Sequence, residues 1–135
     1  MVIGTTLQRK LDMSTWTTTD AEQLAAPQEV GVATRRRDGS VRNPRVIWIV
    51  RAGDRVFIRS TNGRGADWFR WAIATGTGQI NSGTTTFDVA FREVIGAGLD
   101  TVDDAYRDKY GKYASIVDHL QEDGPRAATL EVLPN

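Results

Sequence analysis

Apolar positions recur every second residue over several short stretches of the chain and every third or fourth over others. Val30-Gly31-Val32-Ala33-Thr34-Arg35-Arg36 reads as a strand, and Asp38-Gly39 after it is a strong hairpin turn. A second strand is predicted over 41–51. Its Val46-Ile47-Trp48-Ile49-Val50 run is apolar on both faces, so both faces should be covered. Gly53 and Asp54 turn the chain into a third, alternating strand at 55–60, which makes a three-stranded meander. Two further strands are expected near 78–81 and 84–94, joined through Ser82-Gly83, and a last one over 127–133 after Gly124-Pro125.

Helical spacing appears in three places. Thr19 with Glu22 three residues on has capping-box spacing and predicts a short helix over 20–25, stopped before Pro27. A second is predicted over 66–75, with Trp68, Trp71, Ala72 and Thr75 on one stripe, Asp67 in the first turn, and Gly76 and Gly78 ending it. A third begins near Thr101, which again has capping-box-like spacing to Asp104. There Val102, Tyr106, Tyr110 and Tyr113 share a face, and Asp103–Arg107 and Asp108–Lys112 can pair four residues apart. Residues 1–13 read as an extension, with Met13 a second plausible start, and 14–135 as one domain. Six strands around one core with helices between them and no βαβ alternation predict a mainly β (α+β) fold, a six-stranded antiparallel barrel with three flanking helices.

At 135 residues the chain has the size of one domain. It contains no cysteine and one histidine, which leaves no disulfides, thiolate sites or multi-histidine metal centres, so no metal is expected. No apolar run approaches the roughly 20 residues of a membrane helix. Residues 1–12 lack the pattern of a secretory signal, so a cytoplasmic setting is expected. The 17 basic and 17 acidic residues cancel, but they are not mixed evenly. Residues 35–70 carry ten arginines against Asp38, Asp54 and Asp67, while 88–123 carry nine acids against four cations. Such a polarity favours an anionic partner for the basic segment.

The chemistry-bearing stretch is Arg59-Ser60-Thr61-Asn62-Gly63-Arg64-Gly65-Ala66-Asp67-Trp68, a strand delivering two hydroxyls to a glycine-containing loop that opens a helix. Backbone N–H groups at a helix start, a hydroxyl and an arginine make an anion site, typically for phosphate. The same residues also suit an ordinary strand-to-helix turn, and no Gly-Lys-Ser/Thr makes it a Walker loop. Trp48, Phe57, Trp68, Phe69 and Trp71 could wall a flat heteroaromatic ligand, although aromatics at these spacings more often pack a core. His119 beside Asp118 has no serine in a Gly-x-Ser-x-Gly elbow to serve, and adjacent Asp103 and Asp104 point apart on a helix, so neither hydrolase reading is supported. Arg35-Arg36-Arg37 could touch nucleic-acid phosphates, but no helix-turn-helix pattern or aromatic platform accompanies it.

The strand–Asp-Gly–strand opening, Arg45-Val46-Ile47-Trp48, the Arg59-Ser60-Thr61…Arg64 loop and Trp68-Phe69-Arg70 resemble the split β-barrel superfamily. It includes the pyridoxamine-phosphate oxidase-like flavin proteins and the actinobacterial deazaflavin-dependent reductases. The helix around Tyr106-Arg107-Asp108-Lys109-Tyr110-Gly111 is similar to one in deazaflavin-linked members. From Trp16 to Leu133 the chain also resembles an uncharacterised bacterial family, domain of unknown function 2255. The resemblance implies a homodimeric barrel holding FMN or a deazaflavin coenzyme and passing a hydride to or from a small organic substrate. A barrel that only binds a small molecule, or serves as a dimeric structural module, is the alternative. Carried over, Arg45, Val46, Ile47 and Trp48 would line the ring or its tail. Arg59, Ser60, Thr61, Arg64 and Gly65 would hold phosphate, and Trp68 would close the pocket. The oxidases carry a basic cluster in this loop where Arg64 stands alone here, which speaks against pyridoxamine-phosphate oxidation itself. The acidic tail of a deazaflavin coenzyme would suit the basic segment. No side chain is singled out as a catalytic acid or base, since hydride chemistry belongs to the cofactor.

Overall fold

The computed structural model describes residues 15–135; the extension expected over 1–13 lies outside them. Helix α1 (Thr18–Ala25) is followed by strands β1 (Val30–Thr34), β2 (Arg45–Ile47), β3 (Ile49–Ala52) and β4 (Arg55–Arg59). A 3₁₀ turn (Gly63–Gly65) leads into helix α2 (Asp67–Thr75), then strands β5 (Thr77–Ser82) and β6 (Thr85–Glu93). Helices α3 (Gly98–Tyr110), α4 (Ala114–Leu120) and α5 (Asp123–Arg126) precede strand β7 (Thr129–Pro134). The strands form one antiparallel sheet in the order β2-β1-β5-β6-β7-β4-β3. The two edge strands, β2 and β3, are consecutive in sequence and separated by Trp48 alone. A sheet whose two edges are one continuous piece of chain has to curl almost shut, and the result is the expected split barrel.

That geometry revises the meander. The predicted strand over 41–51 is two strands: Arg45–Ile47 pairs with β1, and Ile49–Ala52 pairs with β4. The hairpin at Asp38-Gly39 is present, with an Arg35–Val41 bridge above it and Gly39 at φ 88°. Both faces of β3 are covered as expected, Ile49 by the barrel interior and Val50 by the helices, but Val46 on β2 is 70% exposed. Counting β2 and β3 separately, the described residues hold seven strands rather than six.

They also hold five helices rather than three. Gly124-Pro125, which precede the last strand as expected, lie in the first turn of α5, where the missing N–H of Pro125 costs nothing. Helix α1 starts earlier than predicted, because Thr17, not Thr19, caps it, its hydroxyl accepting from Asp20 N–H. Helix α3 begins at Gly98 with no side-chain cap, so Thr101 is interior. Asp103 pairs with Arg59 and Arg126, and Arg107 with Asp118, instead of with each other.

Two cores follow from the alternation of β4. Val56 and Ile58 point into the barrel with Val32, Ile80, Val89, Leu130 and Val132; α1 closes one end with Leu24, and Trp16 donates its indole N–H to the Val132 carbonyl at 2.8 Å. Phe57 points outward, into a second core with Val102, Tyr106, Tyr110, Val117 and Leu120 of α3 and α4. Lys109 ties the layers together: its ammonium donates to the carbonyls of Ala25, Pro27 and Ile49 at 2.5–2.7 Å, and burial pushes its pKa down to about 8. Gly78 is required where β5 crosses β1, because a Cβ there would sit 2.6 Å from the Ala33 carbonyl oxygen. Among the described residues no helix is long and apolar enough to cross a membrane.

The charge polarity of the sequence is met in part by the fold. Arg35 pairs with Asp88, Arg55 with Glu131, Arg59 with Asp103 and Arg64 with Glu93, so four of the ten arginines of the basic segment meet acids from the second half of the chain.

Candidate functional site

The cleft of interest, about 980 Å³ in volume, opens where the barrel is split. One wall is the β2–β3 edge with Arg45, Val46, Ile47 and Trp48. The floor is the end of β4 with Arg59, Ser60 and Thr61, and the far wall is the turn and helix that follow, with Gly65 and Trp68. Nine of the ten residues expected to hold a cofactor therefore converge on one cavity of the size small ligands occupy. Glu29, Asn62, Ala66, Asp67, Ile116 and Leu120 complete the lining.

Arg64 is the tenth, and it is not among the lining residues. Its guanidinium is turned to Glu93 Oε1 (2.5 Å) and to the Ala127 carbonyl (2.9 Å). Arg59 lies under the cleft, but its donors are spent on Thr129 Oγ1, Asp103 Oδ1 and the Leu120 carbonyl at 2.6–3.0 Å. It anchors the strand that presents Ser60, rather than offering free N–H groups.

Ser60 is different. The residue is 1% exposed, its backbone N–H is tied to the Ala128 carbonyl, and its hydroxyl has no partner among the described residues. A buried hydroxyl left unpaired is costly, so Ser60 Oγ is a donor without an internal acceptor at the cleft floor. Gly63 (φ 72°) then bends the chain into the 3₁₀ turn, and α2 begins at Asp67 with no side-chain cap. Its first two residues, Asp67 and Trp68, at the positive end of the helix dipole, line the same cleft as Ser60 and Thr61.

At the other end, Trp48 stacks on Tyr110 with centroids 3.9 Å apart and planes 6° from parallel. The Tyr110 hydroxyl donates to the Gln28 carbonyl (2.6 Å) and accepts from Ile49 N–H (3.2 Å), fixing the point where the chain passes from one sheet edge to the other. Trp68 is 7% exposed and packs edge-on to Phe69, so it is as much core as wall.

Sequence reasoning weighed His119 only for a hydrolase triad and missed its contact with the cleft loop. Its ring nitrogens lie 2.9 Å from the Thr61 carbonyl and 2.7 Å from Glu122 Oε1, tethering α4 to the cleft loop. The Thr61 carbonyl, and after it Glu122, hold its pKa above the ordinary 6.5. The only signal in the sequence was Glu122 three residues after the histidine on a short helix.

Solved structures share this fold. They include an F420-H2 dependent reductase, FDR-A, 17% identical with TM-score 0.59, covering 78% of this chain and 93% of that one. Another is HutZ, the heme storage protein of Vibrio cholerae, 14% identical with TM-score 0.63, covering 87% and 89%. A third is a protein of Listeria innocua provisionally named a pyridoxamine 5'-phosphate oxidase, 9% identical with TM-score 0.54, covering 85% and 88%. At these identities the likeness is one of fold alone, the split barrel. No curated protein matches the sequence. Residues 20–132 match the model of the family described as an uncharacterized protein conserved in bacteria, DUF2255, and the chain belongs to that family.

Proposed function

We propose that the cleft binds a flavin-type cofactor, deazaflavin coenzyme or FMN, and serves hydride transfer to or from a small organic substrate. The observation that carries this reading is the unpartnered, buried Ser60 hydroxyl beside the uncapped start of α2. A phosphate there would accept from Ser60, Thr61 and the first N–H groups of the helix. The ring would lie toward Val46, Ile47 and Trp48, with the indole held in place from behind by Tyr110. The bound cofactor would supply the hydride chemistry, while the chain supplies pocket, orientation and charge. Arg64 would have to leave Glu93 to take part.

Haem fits this cleft poorly. Haem iron needs an axial His, Cys, Met or Tyr, and among the described residues the lining contains none of these. Val46 (70% exposed) and Ile116 (44%) leave an apolar rim on the cleft, which a second subunit of a homodimer would cover.

Side-by-side fluorescence titration with FMN and deazaflavin coenzyme tests the reading. Saturable micromolar binding of one is expected, weakened about tenfold or more in Ser60→Ala by loss of a hydrogen bond to a charged group. The variant itself should be no less stable than the parent, because no internal hydrogen bond is removed. Binding of neither molecule overturns the proposal. Turnover with reduced cofactor then separates an oxidoreductase from a barrel that only carries its ligand.

A further inference from the structure

Of the ten arginines between 35 and 70, five find a carboxylate partner: Arg35, Arg55, Arg59, Arg64 and Arg70. Arg42 and Arg45 do not, and they are treated in another way. Both guanidinium groups are brought to the ring of Trp71, their central carbons 4.0 Å and 5.3 Å from its centroid. Neither side chain makes a hydrogen bond or ion pair with any described residue, and Arg42 Nε is buried without a partner. Two like charges gathered on one indole repel, and neither is ion-paired to a described carboxylate: of the two that line the cleft with Arg45, Asp67 is paired with Arg70, and Glu29 with no described cation. Stacking on an aromatic face leaves the in-plane N–H edges of a guanidinium free and orders the side chain beforehand. Those are the conditions for two-pronged capture of a carboxylate.

The location connects this pair to the cleft. Arg45 lines it, and Trp71 follows Trp68 by one turn of α2, about 4.5 Å along the helix axis. Arg42 and Trp71 are not among the lining residues, so the pair borders the cleft and joins it through Arg45.

We propose that Arg42 and Arg45, held on Trp71, form a carboxylate site at the edge of the cleft, so that a carboxylate-bearing anion occupies it. The site rests on the reading of the cleft as a ligand site, but not on which cofactor fills the Ser60 end. The carboxylate can belong to an acidic tail on the cofactor or to a separate substrate.

The test is an NMR titration of protein labelled with ¹⁵N at its tryptophan indoles, with Trp71→Phe assigning the Trp71 signal. Tetraglutamate is the probe for the proposed site, and FMN and deazaflavin coenzyme, in parallel samples, are the probes for the cofactor reading. Tetraglutamate is expected to shift the Trp71 indole saturably and less at high salt. Affinity should fall at least tenfold in Arg42→Gln/Arg45→Gln, whose other indole signals confirm the fold. No saturable shift at Trp71, or an equal shift in the double variant, overturns the proposal even if a cofactor binds. Failure of both cofactors to perturb Trp48 or Trp68 overturns the cofactor reading and leaves the tetraglutamate result to decide this one. Competition between tetraglutamate and the deazaflavin coenzyme assigns the site to the cofactor's tail. Simultaneous binding assigns it to a carboxylate substrate.

Discussion

Arg59 Nη1 lies 2.6 Å from Asp103 Oδ1, and no part of the arginine side chain is exposed. The pair joins the last residue of β4 to α3, directly before Ser60 at the cleft floor. A buried charge that loses its partner is penalised more than the pair is rewarded, so the two ends are not equivalent. Asp103→Ala strands the guanidinium inside the protein and should cost about 3 kcal/mol. Arg59→Met removes the buried charge and leaves Asp103, one-fifth exposed, with Arg126, so it should cost less. Urea unfolding of both variants checks the order. If Asp103→Ala costs under about 1 kcal/mol, Thr129 Oγ1 and the Leu120 carbonyl alone suffice for the guanidinium.

Tyr110 presents a second case of one group fixing the cleft wall from behind. Its hydroxyl is bonded to Gln28 and Ile49 while its ring carries Trp48. Tyr110→Phe keeps the stack and leaves the Gln28 carbonyl and Ile49 N–H short of a partner, at a cost of about 1–3 kcal/mol. The strand switch at Trp48 should loosen, and ligand affinity should fall together with the melting temperature. A variant that melts like the parent would show that water replaces the hydroxyl.

How much of this could be read in the sequence depends on the range of the forces involved. Strands β1, β4, β5 and β6 were legible because alternation is local. The break at Trp48 was not, since Val46 to Val50 is uniformly apolar and the break is set by which sheet edge each half reaches. The helix Ala114–Leu120 was missed because it is seven residues long and carries Ser115, Asp118 and His119. The strand–loop–helix order left an anion site and an ordinary turn equally open. It was the family resemblance that implied Ser60, Thr61, Gly65 and Trp68 as cleft residues, all four of which line the cavity. Arg59 and Arg64 were expected to offer free donors. Asp103 and Glu93, which take up those guanidinium groups, lie 44 and 29 residues away, beyond any local pattern.

Glu131 on β7 is almost fully buried and lies between two arginines, Arg55 (2.8 Å) and Arg92 (2.7 Å). Burial pushes its carboxyl pKa up, but the hydrogen bonds and charges of Arg55 and Arg92 outweigh that and hold it below the ordinary 4.5. A carboxylate lowered on folding contributes stability that is present above its unfolded pKa and lost as pH falls through the folded one. Glu131 should therefore steepen acid unfolding below about pH 4.5. Glu131→Gln, measured by denaturation from pH 3 to 7, should be less stable than the parent at neutral pH, with the gap closing toward acid. A constant gap would place the acid sensitivity elsewhere.

The tether between His119 and the cleft loop makes the opposite pH prediction. Both of its partners, the Thr61 carbonyl and the Glu122 carboxylate, are acceptors, so only the doubly protonated ring satisfies both at once. A histidine whose pKa is raised on folding contributes stability that is complete below its unfolded value near 6.5 and lost as pH rises through the folded one. The Thr61 side of the cleft should thus be best anchored in mild acid and freer in mild alkali. NMR titration of His119 should give a midpoint above 6.5. Glu122→Gln should lower that midpoint only part of the way, because the Thr61 carbonyl is the larger cause. If anchoring of Thr61 matters for an anionic ligand, its affinity should decline across the same pH range, and His119→Ala should remove the dependence. A midpoint at or below 6.5 would mean that the tether does not hold the protonated ring in solution, and the pH dependence would go with it.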